Sequence, residues 1–171
     1  MLTDKMLDGL NEQINYELYS AYIYYSMSAY CQSLDLVGMA SWFKVQALEE
    51  LFHVSKFFDY ICDRGSRVKL QEVKGPRVEW DSPLGAFSDA LKHEQSVSKR
   101  IHDLVTLAQS EKDRSTESFL QWFVAEQVEE EATVSQIVGQ LKIAGSEGPG
   151  LFFMDQQLGQ RTYTPPAATG A

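Results

Sequence analysis

Apolar residues recur at alternating steps of three and four along four long stretches of the chain, the period of a helix that buries one face. In the first stretch the seam reads Leu7, Leu10, Ile14, Glu17, Ala21, Tyr24, Ser28, Cys31. The second gives Leu36, Met39, Phe43, Gln46, Glu50, His53, Phe57, Tyr60. The third gives Leu84, Phe87, Leu91, Glu94, Ser98, Ile101, Val105, Ala108, and the fourth Leu120, Phe123, Gln127, Glu130, Val134, Ile137, Leu141, Ala144. Punctuation sets the bounds. Residues 4–32 have no glycine after Gly9 and read as one helix, with Thr3 or Asp4 as N-cap. A second helix runs from about Leu36 to Arg64 and stops at Gly65. Ser82-Pro83 places a capping residue and a first-turn proline before a third helix that reaches about Ser110. After a turn over Lys112–Ser115, a fourth extends to Ala144 and ends at Gly145. Leu151–Leu158 reads as a short fifth helix. Residues 1–160 form one domain in this reading, and 161–171 a flexible C-terminal tail.

Connection lengths predict the topology. Short links make helices one and two, and three and four, antiparallel hairpins. The stretch from Gly65 to Asp81 has no helical period, and at ~3.3 Å per extended residue it spans more than about 50 Å. That exceeds the roughly 42 Å of a helix of about 28 residues rising 1.5 Å per residue. The link can therefore return along the whole bundle, leaving helices two and three parallel. The expected fold is all-α: a four-helix bundle with one long crossover and a short fifth helix.

Each seam is apolar at both ends and carries a carboxylate near its middle. Mid-helix positions share one layer whatever the chain direction, so Glu17, Glu50, Glu94 and Glu130 are expected to meet. No Lys or Arg lies on any seam, and burying four ionised carboxylates together is very costly. Protonation relieves one or two of them; a shared cation relieves all. Their four charges match two divalent ions. His53, three residues after Glu50, lies about 60° round the helix, so both can face one ion. Carboxylates with one imidazole suit iron or manganese, and the absence of thiolate argues against structural zinc or an Fe–S cluster.

Composition sharpens this reading. Fifteen Lys+Arg against 24 Asp+Glu give a net charge of −9 and a pI near 4.8. That balance argues against nucleic acid and anionic membranes as partners and favours cations. No apolar run approaches the ~20 residues a bilayer needs, and the N-terminus lacks the apolar core of a signal peptide. Cys31 and Cys62 make no disulfide framework and read as two reduced thiols in a cytoplasmic protein.

The pattern of single glutamates (Glu17, Glu94) and Glu50-Leu-Phe-His53 is similar to that of ferritin-like di-iron carboxylate proteins, in which two helices give one Glu each and two give Glu-x-x-His. The fourth helix departs, offering Gln127-Val-Glu-Glu130. Over nearly its whole length the chain resembles bacterial non-haem ferritins. The stretches that carry the likeness are Asn11-Glu-Gln-Ile-Asn-Tyr-Glu-Leu-Tyr-Ser20, Gln46-Ala-Leu-Glu49-Glu50-Leu-Phe-His53, Lys92-His-Glu94-Gln, Phe119-Leu-Gln-Trp122-Phe-Val-Ala-Glu126-Gln127-Val-Glu129-Glu130-Glu and Gly148-Pro-Gly-Leu151. The resemblance implies a hollow shell of 24 subunits that oxidises Fe(II) with O2 or H2O2 and stores the ferric product inside. It implies that Glu50 bridges two irons, that Glu17 and His53 complete the first site, and that Glu94 and Glu130 hold the second, with Gln127 beside it.

It also implies a third iron site on Glu49, Glu126, Glu129 and shared Glu130. The i,i+3 and i,i+4 spacing of the last three lines one flank of their helix, as it equally would a solvated acidic face. Tyr24, two turns after Glu17, is expected to hydrogen-bond a ligand carboxylate or supply an electron, or else simply to pack. Trp122 is placed similarly beside the centre, with packing the stronger alternative. His93 is expected to point away from the centre, and His102 to take no part. Gln127-x-x-Glu130 and Leu51 stand where a haem-binding relative would carry a second Glu-x-x-His and a methionine, so no haem is expected. A smaller, non-storing di-iron oxidase or peroxidase is the alternative, as is a bundle holding redox-inert metal for structure alone.

Overall fold

The computed structural model describes residues 1–164, and among them are five helices and no strand: α1 (Asp4–Ser33), α2 (Val37–Asp63), α3 (Pro83–Ser110), α4 (Arg114–Ala144) and α5 (Pro149–Leu158). The expected bounds hold to within a residue or two, except that α5 opens at Pro149 rather than Leu151 because proline is pre-set for a first helical turn. The caps are local. Thr3, Ser82 and Asp113 each accept the amide N–H three residues on, from Met6, Gly85 and Thr116, at 3.2, 3.0 and 3.1 Å. Gly65 follows α2 at φ +70°, as a C-terminal stop requires.

α1 packs on α2 and α3 on α4, the two expected hairpins. The crossover runs back along α1. Its Lys69 N–H donates to Asn11 Oδ1 at 2.7 Å, Ser26 Oγ donates to the Arg77 carbonyl at 2.6 Å, and Trp80 packs on Tyr30 with ring centroids 5.3 Å apart. Three anchors in chain order along one helix show that the link retraces its length.

The core lies in two bodies. One gathers Tyr24, Met39, Phe43, Phe87, Val134 and Leu141; the other gathers Leu10, Ile14, Phe57, Ile101, Leu120 and Phe123. Between them sit Glu17, Gln46, Glu50, Glu94, Gln127 and Glu130, all buried. The mid-bundle polar layer predicted from the seams is therefore real. One seam is corrected in phase. α3 buries Ala90, Val97 and Leu104 with Phe87, Glu94 and Ile101, while Leu84, Leu91 and Val105 are only half-buried. Either stripe satisfies a three–four alternation, and the small Ala90 sets the face that turns inward.

α5 closes one end. α2 has no side-chain cap of its own; Asp155 Oδ1, from α5, accepts the Met39 N–H at 2.8 Å. The approach is possible because residue 38 is glycine. A Cβ there would lie 1.8 Å from the Asp155 carbonyl oxygen. Residues 165–171 lie outside the described residues. Of the expected tail, Arg161 makes side-chain bonds to α2.

Gly38→Ala is expected to destabilise the fold by about 1–3 kcal/mol through overpacking, and Asp155→Ala by about 1 kcal/mol through loss of a cap. Denaturant unfolding measures both. Parent-like stability in Gly38→Ala would mean that α5 does not seat on α2.

Candidate metal centre

Four helices deliver one polar layer. α1 supplies Glu17, α2 supplies Glu50 and His53, α3 supplies Glu94, and α4 supplies Glu130 with Gln127. Glu17, Glu50 and Glu94 are each no more than 1 % exposed and Glu130 is 6 % exposed. One oxygen of Glu17, one of Glu50 and a ring nitrogen of His53 lie within 4.8 Å of one another. His53 Nδ1 stands 3.4 Å from Glu50 Oε2 and 3.9 Å from Glu17 Oε2. Those two oxygens are buried without a hydrogen-bond partner. An unpaired buried carboxylate oxygen is costly, and two beside an imidazole are a donor set for a cation.

The other half of the layer is differently held. Tyr24 OH donates to Glu94 Oε1, and Gln127 Nε2 donates to Glu94 Oε2 at 3.1 Å. Gln46 Nε2 donates to Glu130 Oε2 at 2.7 Å. Glu94, bonded at both oxygens, and Glu130, bonded at Oε2, thus face the same layer and stand outside the three-donor group. Glu17 has one satisfied oxygen: its Oε1 accepts from Gln13 Nε2 at 2.7 Å, and Gln13 Oε1 accepts from Arg100 Nε at 3.0 Å.

Electrostatics follow burial. Desolvation, and then the neighbouring Glu50, push the Glu17 carboxyl well above its ordinary range. Glu50 is raised likewise by burial and by the charge of Glu94. Glu94 is raised by burial, offset by the bonds from Tyr24 and Gln127. Glu130 is pushed up to about 8 by burial and Glu94. Burial also raises the Tyr24 hydroxyl, so it stays a neutral donor.

The remaining expected residues fall around this layer. Glu126 is half-buried, Glu49 partly buried and Glu129 exposed, and they form no three-donor group among the described residues. Glu49 is instead paired with Arg161. Trp122 stands edge-on to the His53 ring at 5.6 Å with the Lys56 ammonium over its own face, so it packs the imidazole in place. His93 faces away from the centre: its Nε2 lies 2.7 Å from Ser20 Oγ, its ring stacks on Tyr16, and burial lowers it to about 4. His102 is exposed. Gln13, Arg100, Gln46 and Arg161 were given no role from the sequence. Gln46 alone carried a signal, as a polar break in the α2 seam one turn before Glu50.

The comparisons with known proteins agree with this geometry. A family model described as a ferritin-like domain matches residues 7–144. The chain belongs to the ferritin family. It is 39 % identical over 163 residues to a bacterial non-heme ferritin of Staphylococcus aureus (strain MRSA252), covering 95 % of this chain and 98 % of that protein. The Staphylococcus haemolyticus counterpart gives the same identity and coverage. Among solved structures, an engineered closed form of the Archaeoglobus fulgidus ferritin superposes with a TM-score of 0.94 at 50 % identity, covering 96 % of this chain and all of that one. The open-pore ferritin of the same archaeon gives the same score and identity over 95 % of this chain.

In this family member burial favours the protonated form of the raised carboxyls in the metal-free fold. A raised acid adds stability that is complete below its unfolded value near 4.5 and is lost as pH rises through the folded value, about 8 for Glu130. Cation binding must expel those protons. Titrating metal-free protein with Zn(II) at about pH 7 is expected to release about one or more protons per subunit, and fewer at about pH 9. Calorimetry in buffers of different ionisation heat reads this directly; no release at the lower pH would mean the carboxylates are already ionised.

Proposed function

We propose that the protein is an iron-storage ferritin whose subunits oxidise Fe(II) at a paired site in the bundle centre. The observation that carries this reading is the pair of buried, partnerless oxygens of Glu17 and Glu50 beside His53. Fe(II) is the substrate. Glu17, Glu50 and His53 hold one ion, and Glu50, Glu94 and Glu130 hold a second, with Glu50 shared between them. Four carboxylates then balance two divalent ions, which removes the burial penalty that raises their pKa values.

The chain's contribution is placement. Gln13 steadies Glu17, Tyr24 and Gln127 steady Glu94, Gln46 steadies Glu130, and Trp122 packs His53. Tyr24, bonded to a ligand carboxylate, is also placed to lend an electron. Iron supplies the redox chemistry, its electrons passing to O2 or H2O2. Glu49, Glu126 and Glu129, with shared Glu130, provide a third iron position through which ferric product leaves for the interior of a shell, of 24 subunits in this reading. Gln127 and Leu51 replace the residues a haem site would need, so the reading includes no haem. The acidic balance supports a cation as cargo rather than nucleic acid. No helix among the described residues is long and apolar enough to cross a membrane.

Glu50→Ala is expected to slow aerobic Fe(II) oxidation by about 100-fold, the scale on which disturbing a metal site acts, while the assembled particle stays hollow and of parent size. Stopped-flow absorbance and light scattering check the two parts. Unchanged oxidation with a lower melting temperature would make the layer a structural metal site. A small oligomer that oxidises Fe(II) but retains no mineral would make the protein a non-storing oxidase.

A further inference from the structure

Arg161, the third residue beyond the end of α5 at Leu158, is not free. Its Nη1 donates to Gln46 Oε1 at 2.8 Å, its Nη2 pairs with Glu49 Oε2, and the guanidinium lies over the Trp42 ring 4.6 Å from the centroid. Its own N–H reaches the Leu158 carbonyl at 3.3 Å, so the last turn of α5 sets where the side chain starts. Gln46 continues the chain of contacts. With its oxygen taken by Arg161, its amide N–H2 must face Glu130, and it donates to Oε2 at 2.7 Å. One cation therefore occupies Glu49 directly and fixes the donor that occupies Glu130.

We propose that Arg161 is a tethered cation standing in for metal at the third iron position, so that a divalent ion enters there only by displacing it. This rests on the reading of Glu49, Glu126, Glu129 and Glu130 as that position. A guanidinium cannot be switched off by losing its proton, so it yields only by moving. There is room for it to move: a groove of about 450 Å³, lined by Thr133, Gln136, Gln140, Gln157 and Gln160, opens beside it between α4 and α5. When a divalent ion takes Glu49 and Glu130, the arginine swings out and Gln46 turns from Glu130. When the ion leaves, both return. The competition makes the third position weaker than the central pair, so it fills last and empties first, which suits a relay for product. A single charge in a pair that still reaches solvent sets a modest barrier that metal at working concentration overcomes.

The test uses the assembled, metal-free, full-length protein titrated anaerobically with Zn(II) in a calorimeter. The parent is expected to take two tight equivalents per subunit and a weaker third. Arg161→Met keeps an unbranched stem on Trp42 without the charge, and is expected to tighten the third equivalent about three- to tenfold, more than it changes either of the first two. Arg161→Lys keeps a charge but cannot span Gln46 and Glu49 together, and is expected to fall between them. Adding Glu49→Ala to Arg161→Met should abolish the gain. A third equivalent that is unchanged or weaker in Arg161→Met, or missing from both proteins, overturns the proposal. Loss of the two tight equivalents in Glu50→Ala tests the central site separately, so either reading can fail without the other.

Discussion

Four carboxyl groups buried at one level of a bundle, with no lysine or arginine on the faces that meet there, are the constraint that organises this molecule. Glu17, Glu50, Glu94 and Glu130 divide the apolar interior into two bodies, and each body must hold its helices without help from the middle. Large aromatics do this on both sides. Phe43 stacks on Phe87 with centroids 4.4 Å apart above the layer, and Phe57 on Phe123 at 4.2 Å below it. Two rigid apolar blocks fix the polar side chains in register, so the carboxylates cannot spread apart to reduce their repulsion. A protein that needed only stability would replace such a layer with leucine. Keeping it fits a ferritin, whose cargo is a cation.

The layer is asymmetric, and hydrogen bonding is the cause. Glu94 and Glu130 have neutral donors on the oxygens that face the interior, from Tyr24, Gln127 and Gln46. Glu17 and Glu50 each leave one oxygen bare beside His53. An ion arriving at the bare side gains two ligands without displacing a hydrogen-bond donor, whereas one arriving at the other side must compete with amides and a phenol. The two halves of the pair are thus expected to differ in affinity before any difference in ligand type is considered.

Much of this was readable in the chain. The four seam interruptions named the carboxylates that share the buried layer, because a helix carries its own period and a buried charge breaks it visibly. The crossover was readable from length alone. The phase of α3 was not: two overlapping stripes fit the spacing equally well, and only packing against its neighbours selects Ala90, Val97 and Leu104. Gln13 and Gln46 sit among buried residues where a glutamine's role depends on what faces it from another helix. Arg161 lies 112 residues from Glu49, in a stretch with no pattern, and a contact of that span leaves no trace in local sequence.

The capping of α2 by Asp155 has a consequence for how the protein is made. Synthesis proceeds from the N-terminus, so α2 emerges, and with it Glu50 and His53, long before the carboxylate that completes its first turn. Until α5 has followed, the first turn of α2 lacks that cap. Docking of α5 back upon α2 therefore ties the start of the helix that carries Glu50 and His53 to a residue 116 positions later in the chain.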